Sequence, residues 1–137
     1  MRQNNEWIIA WDGKYNSGFC GSKPVNSISG LIDTLKMKDA DGDAEFVLYR
    51  KGMEDQRLIL CVTDNKWFLC FFPEDVSSCG FQSLGDDRDN SEITHMLAGS
   101  NIEVRNYTLV KSEVAFKAAQ EFMEMGELPL CVDWEEL

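Results

Sequence analysis

The chain has 137 residues, of which 44% are hydrophobic, 11% aromatic and 27% charged, and its formal net charge is −11. This length predicts that residues 1–137 fold as a single globular domain with its own core. The aromatic content argues against a disordered acidic segment. The negative charge argues against binding to nucleic acid or to an anionic membrane, because Lys and Arg recognise both of those partners.

The negative charge is concentrated in the second half of the chain. Residues 1–68 contain nine basic and ten acidic side chains, whereas residues 69–137 contain four basic and fourteen acidic ones. A solvated surface explains such an excess, and so does an acidic face that binds a basic partner. Charge alone does not separate these two explanations.

The cysteines are odd in number and include no Cys-x-x-Cys pair; they are Cys20, Cys61, Cys70, Cys79 and Cys131. This pattern predicts reduced, mostly buried thiols, with no zinc site. The apolar run near residue 7 is too short for the core of a signal peptide, and no stretch approaches the roughly 18 apolar residues of a membrane span. We therefore expect a soluble, cytoplasmic protein.

The first elements in chain order are a strand and a helix. Trp7–Trp11 is an apolar run stopped by Asp12-Gly13, which is typical of a strand followed by a turn. A Gly- and Ser-rich loop follows. Apolar residues at positions 28, 31, 32 and 35 then recur with helical spacing, behind Asn26 and Ser27 as possible N-caps.

The acidic sequence DADGD at Asp39–Asp43 resembles the start of a calcium-binding loop. The twelfth position counted from Asp39 is Arg50, where such a loop requires a bidentate Glu. We therefore discount a calcium loop of that kind.

Three β-type runs come next, at Phe46–Tyr49, Leu58–Val62 and Trp67–Phe72. Residues 63–66, TDNK, favour a tight connection between the last two, so we predict an antiparallel meander. Aromatic side chains of the third run alternate between the two faces of the sheet. At least one of these faces must therefore be covered by a helix or a partner.

The remaining chain contains two candidate strands, Phe81–Leu84 and Ile102–Leu109, and then a helix that starts at Ser112. Gly126 and Pro129 provide its stop signals. The order of elements predicts an α+β domain, with an antiparallel sheet of about five or six strands and two main helices packed on it.

No catalytic constellation is recognisable. His95 is the only histidine, and its polar neighbours in SEITH offer no partner that would orient it as a base, which favours a surface or helix-end position. Phosphate-binding loops and zinc-ligand spacings do not occur. We expect no enzyme activity, no cofactor and no metal ion, although a hydrolase that uses paired carboxylates stays open.

Residues 108–137, TLVKSEVAFKAAQEFMEMGELPLCVDWEEL, combine an Ala- and Phe-bearing helix, a Gly-x-x-Pro turn and a Trp followed by an acidic residue. In this the chain resembles the family of bacterial polymorphic-toxin immunity proteins often encoded beside deaminase toxins. The residues that carry the resemblance are Ala115, Ala119, Phe122, Gly126, Glu127, Leu128, Pro129, Trp134 and Glu135.

The resemblance implies a protein that binds and neutralises a cognate secreted toxin, of a basic, nucleic-acid-modifying (deaminase) type, by occluding the toxin's active site. An acidic protein-interaction adaptor unrelated to toxins is the alternative. The candidate toxin-binding residues are the acidic loop Asp86, Asp87, Asp89 and Glu92, and secondarily Glu74 and Asp75. We predict a structural role for Phe122, Gly126, Pro129 and Trp134.

Overall fold

The computed structural model describes residues 6–13, 18–74, 79–97 and 101–137. The strands in these ranges are β1 (Trp7–Asp12), β2 (Cys20–Val25), β3 (Asp43–Arg50), β4 (Met53–Thr63), β5 (Lys66–Phe72), β6 (Phe81–Leu84), β7 (Ile93–Leu97), β8 (Asn101–Arg105) and β9 (Asp133–Glu136), and the helices are α1 (Ile28–Leu35) and α2 (Ser112–Met125). Seven strands form one antiparallel sheet in the order β2-β1-β3-β4-β5-β6-β9, while β7 and β8 form a separate hairpin. Neither described helix is long and apolar enough to cross a membrane.

The predicted α+β class with two main helices is confirmed, but the estimate of five or six strands is too low. Two of the seven sheet strands lie in segments assigned to a loop or to the tail, namely β2 and β9. The candidate strand Ile102–Leu109 is β8 followed by a 3₁₀ turn at Asn106–Thr108, and its hairpin partner β7 lies in the polar segment around His95.

Both faces of the central meander are covered within the chain. On β5, Trp67, Leu69 and Phe71 point to the core beneath the helices. The intervening Phe68 packs on the opposite face in a second cluster with Met96 of the hairpin. The prediction that this aromatic strand needs a cover is confirmed, and the two covers are the helical layer and the β7–β8 hairpin.

The meander has the predicted tight turn. Asp64 and Asn65 have positive φ values of 50° and 62°, a conformation that Asp and Asn tolerate better than most residues. This turn fixes the register of β4 against β5, so that Val62 lies opposite Trp67 and Leu58 opposite Phe71. All four side chains therefore face the helical layer.

Helix α1 begins as predicted. The Ser27 Oγ accepts a hydrogen bond from the Gly30 N–H at 3.1 Å, which caps the first turn. Leu31 and Leu35 have no exposed surface and anchor the helix on the sheet.

Helix α2 lies close to the sheet because its buried face is built from small residues. Ala115, Ala118 and Ala119 are fully buried, which leaves room for the large aromatic side chains of the strands beneath them. Gly126 ends the helix in the left-handed conformation, with φ +69°, and its N–H donates to the Phe122 carbonyl at 2.7 Å.

The prediction of mostly buried thiols is wrong, since Cys20, Cys79 and Cys131 are exposed, and only Cys61 is fully buried. Cys20 is exposed because it begins the edge strand β2. Burial raises the pKa of Cys61 well above its ordinary value, helped by the Glu45 carboxylate, and burial followed by the same carboxylate raises the pKa of Cys70 to about 12.

These thiols should alkylate in a defined order. At pH 8 we expect iodoacetamide to modify the native protein at Cys20 and Cys79 first. Cys131 should react slowly although it is exposed, because partial burial and the Glu121 carboxylate raise its pKa to about 11. Its rate should rise about tenfold per pH unit up to that value. Peptide mass spectrometry measures the order, and rapid native labelling of Cys61 would contradict it. When the protein is unfolded in guanidinium without a reducing agent, thiol titration should find all five cysteines free.

Candidate functional site

A groove of about 510 Å³ lies at the end of the sheet where β6 leads into the acidic loop. Its walls come from four separated stretches of chain: the β4–β5 turn, the acidic loop, the segment that leads into α2, and the segment that leads into β9. Basic and acidic side chains both line the groove, namely Lys66, Arg88 and Lys111 and Asp86, Asp87 and Asp133.

The segment that leads into α2 is fixed against the start of β5. The backbone of Val110 exchanges two hydrogen bonds with that of Trp67, at 3.2 and 2.9 Å. The buried Trp67 indole Nε1 donates to the Ser112 Oγ at 2.9 Å. The floor of the groove is therefore continuous with the hydrophobic core.

Gly85 sets the path of the chain out of β6. Its N–H donates to the Tyr107 carbonyl at 2.7 Å, and a Cβ at this position would collide with the Leu109 carbonyl. Only glycine lets the two backbones approach so closely. This contact places the acidic loop directly beside the segment that leads into α2.

Arg88 ties the acidic loop to the last strand. Its Nε donates to the Gly85 carbonyl at 2.5 Å, and its Nη2 lies 2.6 Å from the Asp133 Oδ2. Sequence reasoning missed this pair because 45 residues separate its members, and only the β6–β9 pairing brings them together. Both side chains are exposed, so the pair positions the loop and contributes little to stability.

The acidic loop is organised by its own hydrogen bonds. The Asn90 side chain donates to the Asp87 carboxylate at 3.1 Å, and its Oδ1 accepts from the Glu92 N–H at 3.0 Å. The Glu92 carbonyl in turn accepts from the Asn106 N–H at 2.8 Å. The loop thus has a defined shape although it contains no regular secondary structure.

The predicted toxin-binding residues do not form one cluster. Asp86 and Asp87 line the groove, and Asp89 and Glu92 are exposed in the same loop. Glu74 is exposed beyond the other end of β5, and Asp75 lies outside the described residues. Strand β9, which sequence reasoning did not include, adds the exposed Asp133 to the groove, whereas Glu135 and Glu136 are exposed further along β9, toward the start of β6.

The predicted structural residues form one contact network. Phe122 is fully buried on α2 and packs edge-on against Phe71, with ring centroids 5.4 Å apart. Trp134 lies 6.4 Å from the same Phe71 ring, and its Nε1 donates to the carbonyl of the buried Pro129 at 2.8 Å. Gly126 permits the reversal of the chain that returns the tail to the sheet.

Replacing Trp134 by Ala should lower the free energy of unfolding by about 2–3 kcal/mol, less than for a fully buried Trp, because this side chain is only half-buried. Denaturant unfolding measures the loss. The control Trp134→Phe keeps the aromatic contact but loses the hydrogen bond to Pro129, and should cost about 1 kcal/mol. An unchanged unfolding midpoint, together with lost toxin protection, would assign Trp134 to the interface instead.

His95 is exposed on β7, away from the groove residues. Its Nε2 lies 3.3 Å from the Glu103 Oε1 on β8, so the hairpin supplies an acidic neighbour that the local sequence did not reveal. Both side chains are exposed. Among the described residues, one group of three side chains has metal-ligand spacing, and it also lies outside the groove, in Asp39 and Asp41 before β3 and Asp43 at its start.

Comparison with curated proteins finds no match. Comparison with protein families matches residues 24–136 to the family described as Immunity protein Imm1. The matched range includes α1, α2, the acidic loop and every wall of the groove, and it confirms the resemblance seen in the C-terminal residues. The chain belongs to the Imm1 family of immunity proteins.

Proposed function

We propose that this protein neutralises a cognate secreted toxin by covering the toxin's active-site cleft with the acidic surface around the groove. We define this surface by Asp86, Asp87, Asp89 and Glu92 of the acidic loop and by Asp133 of β9. The observation that carries the proposal is that Asp86 and Asp87 of the acidic loop and Asp133 of the distant strand β9 line one groove of about 510 Å³. Family membership supports the toxin as the partner.

The charge of the surface favours a basic toxin. A domain that modifies nucleic acid, such as a deaminase, needs Lys and Arg around its active site to hold the phosphate backbone. An acidic surface would meet those same side chains, accelerate encounter and discriminate against acidic proteins. Occlusion of the catalytic cleft then follows from competition for the residues that bind the substrate.

The groove gives this surface shape as well as charge. Lys66 and Lys111 line it together with Asp86 and Asp87, so an inserted toxin segment would find partners for both signs of charge. The hydrogen-bonded loop is already ordered, which lowers the entropic cost of association. We expect a complete interface to bury on the order of 1,600 Å² in total.

The test has two parts. A pull-down from the native cell should recover one toxin domain in stoichiometric amount; recovery of other proteins without any toxin would favour the adaptor alternative.

The activity of the purified toxin should then be assayed with increasing substrate at a fixed concentration of this protein as the inhibitor. Occlusion predicts that substrate relieves inhibition, whereas inhibition that stays constant at all substrate concentrations would place the contact away from the active site.

A further inference from the structure

A backbone bridge brings two lysines side by side at the wall of the groove. Trp67 and Val110 form an isolated antiparallel bridge, and their side chains are buried in the core. In antiparallel segments the residue before one partner stands opposite the residue after the other, so Lys66 stands opposite Lys111. Neighbouring side chains of an extended segment point to opposite sides, which turns both lysines away from the core. Both are exposed, and both line the groove.

This arrangement is unfavourable in the free protein. Like charges that stand opposite each other across two extended segments destabilise a fold. In the part of the chain that the structure describes, neither lysine belongs to an ion pair. The chain has 24 acidic and only 13 basic side chains, so carboxylates that could pair with lysines are abundant. Two adjacent lysines without such a partner therefore favour a role in binding over a role in folding.

The acidic side chains of the groove leave this positive charge available. Asp133 is engaged by Arg88 at 2.6 Å, and the Asp87 carboxylate accepts a hydrogen bond from Asn90 at 3.1 Å. The two lysines come from the β4–β5 turn and from the segment that leads into α2, whereas the acidic side chains come from the acidic loop and from β9. The groove therefore has basic walls and acidic walls.

We propose that Lys66 and Lys111 bind a carboxylate side chain of the toxin. This inference rests on the proposed function, because it names the chemistry of the toxin segment that enters the groove. A carboxylate between two ammonium groups would cancel their repulsion and accept charge-assisted hydrogen bonds from both. A polyanion such as nucleic acid does not fit, because Asp86, Asp87 and the net charge of −11 would repel it. One acidic residue within a basic toxin surface matches both kinds of wall.

The lysines would then determine which toxin is neutralised. The acidic surface attracts basic proteins in general, because its electrostatic attraction acts at long range. The lysine pair accepts only a toxin with an acidic side chain at the matching position. A basic protein without that side chain would place its own positive charge against two ammonium groups, which is a repulsive element of the kind that specific interfaces use.

The experiment compares the wild type with the double variant Lys66→Gln/Lys111→Gln in the rates of association with, and dissociation from, the cognate toxin. The variant loses two positive charges, which takes its net charge from −11 to −13. We expect its dissociation constant to be about tenfold higher, through faster dissociation, because the toxin carboxylate loses its partners. Attraction by overall charge alone predicts the opposite result, a tighter complex with the more acidic variant.

Two further variants and one measurement complete the test. Lys23→Gln/Lys51→Gln removes the same charge from the edge strand β2 and the β3–β4 turn, and should dissociate at the wild-type rate. Lys66→Arg/Lys111→Arg keeps both charges and should bind within about threefold of wild type. The Lys66→Gln/Lys111→Gln variant should melt no lower than wild type, because it relieves repulsion.

The outcomes separate this inference from the proposed function. A toxin that binds wild type and dissociates from the Lys66→Gln/Lys111→Gln variant equally fast or more slowly would overturn the lysine site and leave the proposed function standing. Equal weakening in the Lys23→Gln/Lys51→Gln variant would overturn the lysine site in the same way. Failure of the wild type to bind any toxin would overturn both.

Discussion

Replacing Phe122 by Ala should lower the free energy of unfolding by about 3–5 kcal/mol, the largest loss we expect from a single substitution in α2. Phe122 has no exposed surface, and its ring packs edge-on against Trp7, with centroids 5.0 Å apart, as well as against Phe71. It therefore joins β1 to β5 beneath the helix. Alanine would leave a cavity between two rigid aromatic rings that cannot collapse to fill it.

Denaturant unfolding measures this loss, and the melting temperature should fall by about 10–20 °C. Met125→Ala is the matched control, because Met125 lies on the same helix but is exposed, and it should change stability by less than about 0.5 kcal/mol. A loss below about 1 kcal/mol at Phe122 would show that the helix can shift to close the cavity. The network of Phe122, Phe71 and Trp134 would then not anchor the tail.

The sequence predicts the buried strands and helices well, because elements that face the core carry a recognisable pattern of apolar residues. Continuous runs of apolar residues identify β3, β4 and β5, and helical spacing of apolar residues identifies α1 and α2. Strand β2 leaves no such pattern: all of its side chains except Val25 are exposed, and its backbone is held by pairing with β1 alone. Strand β9 buries only part of one side chain, Trp134.

The groove could not be predicted from the sequence, because no local pattern of residues marks it. Its walls meet through pairings between residues far apart in sequence, such as Gly85 with Tyr107 and Arg88 with Asp133. The acidic composition of the loop identifies it as a candidate binding site, but only the β6–β9 register places Asp133 beside it. The pairing of β5 with β6 separates Glu74 from the groove, because Glu74 follows the end of β5 that lies beside the start of β6 and the groove lies beyond the end of β6.

Replacing the four carboxylates of the acidic loop by amides should slow association with the cognate toxin by about tenfold at low salt, if this surface faces a basic toxin. The variant is Asp86→Asn, Asp87→Asn, Asp89→Asn and Glu92→Gln. An amide oxygen can still accept a hydrogen bond, so Asp87→Asn should preserve the bond from the Asn90 side chain, and the melting temperature should stay within about 2 °C. Stopped-flow or surface-binding kinetics at two salt concentrations measures the effect.

The matched control removes four exposed acids elsewhere: Asp33→Asn, Glu54→Gln, Asp55→Asn and Glu124→Gln. Both variants have the same net charge, so a difference between them reports where the charge lies. Screening shortens the range of electrostatic attraction to about 8 Å at physiological salt, so salt should slow the wild type and the control strongly and the loop variant weakly. Equal association rates and equal salt slopes in all three proteins would remove the loop from the interface. Equal slowing in both variants would mean that the toxin responds to the overall charge, and the acidic surface beside the groove would lose its special role.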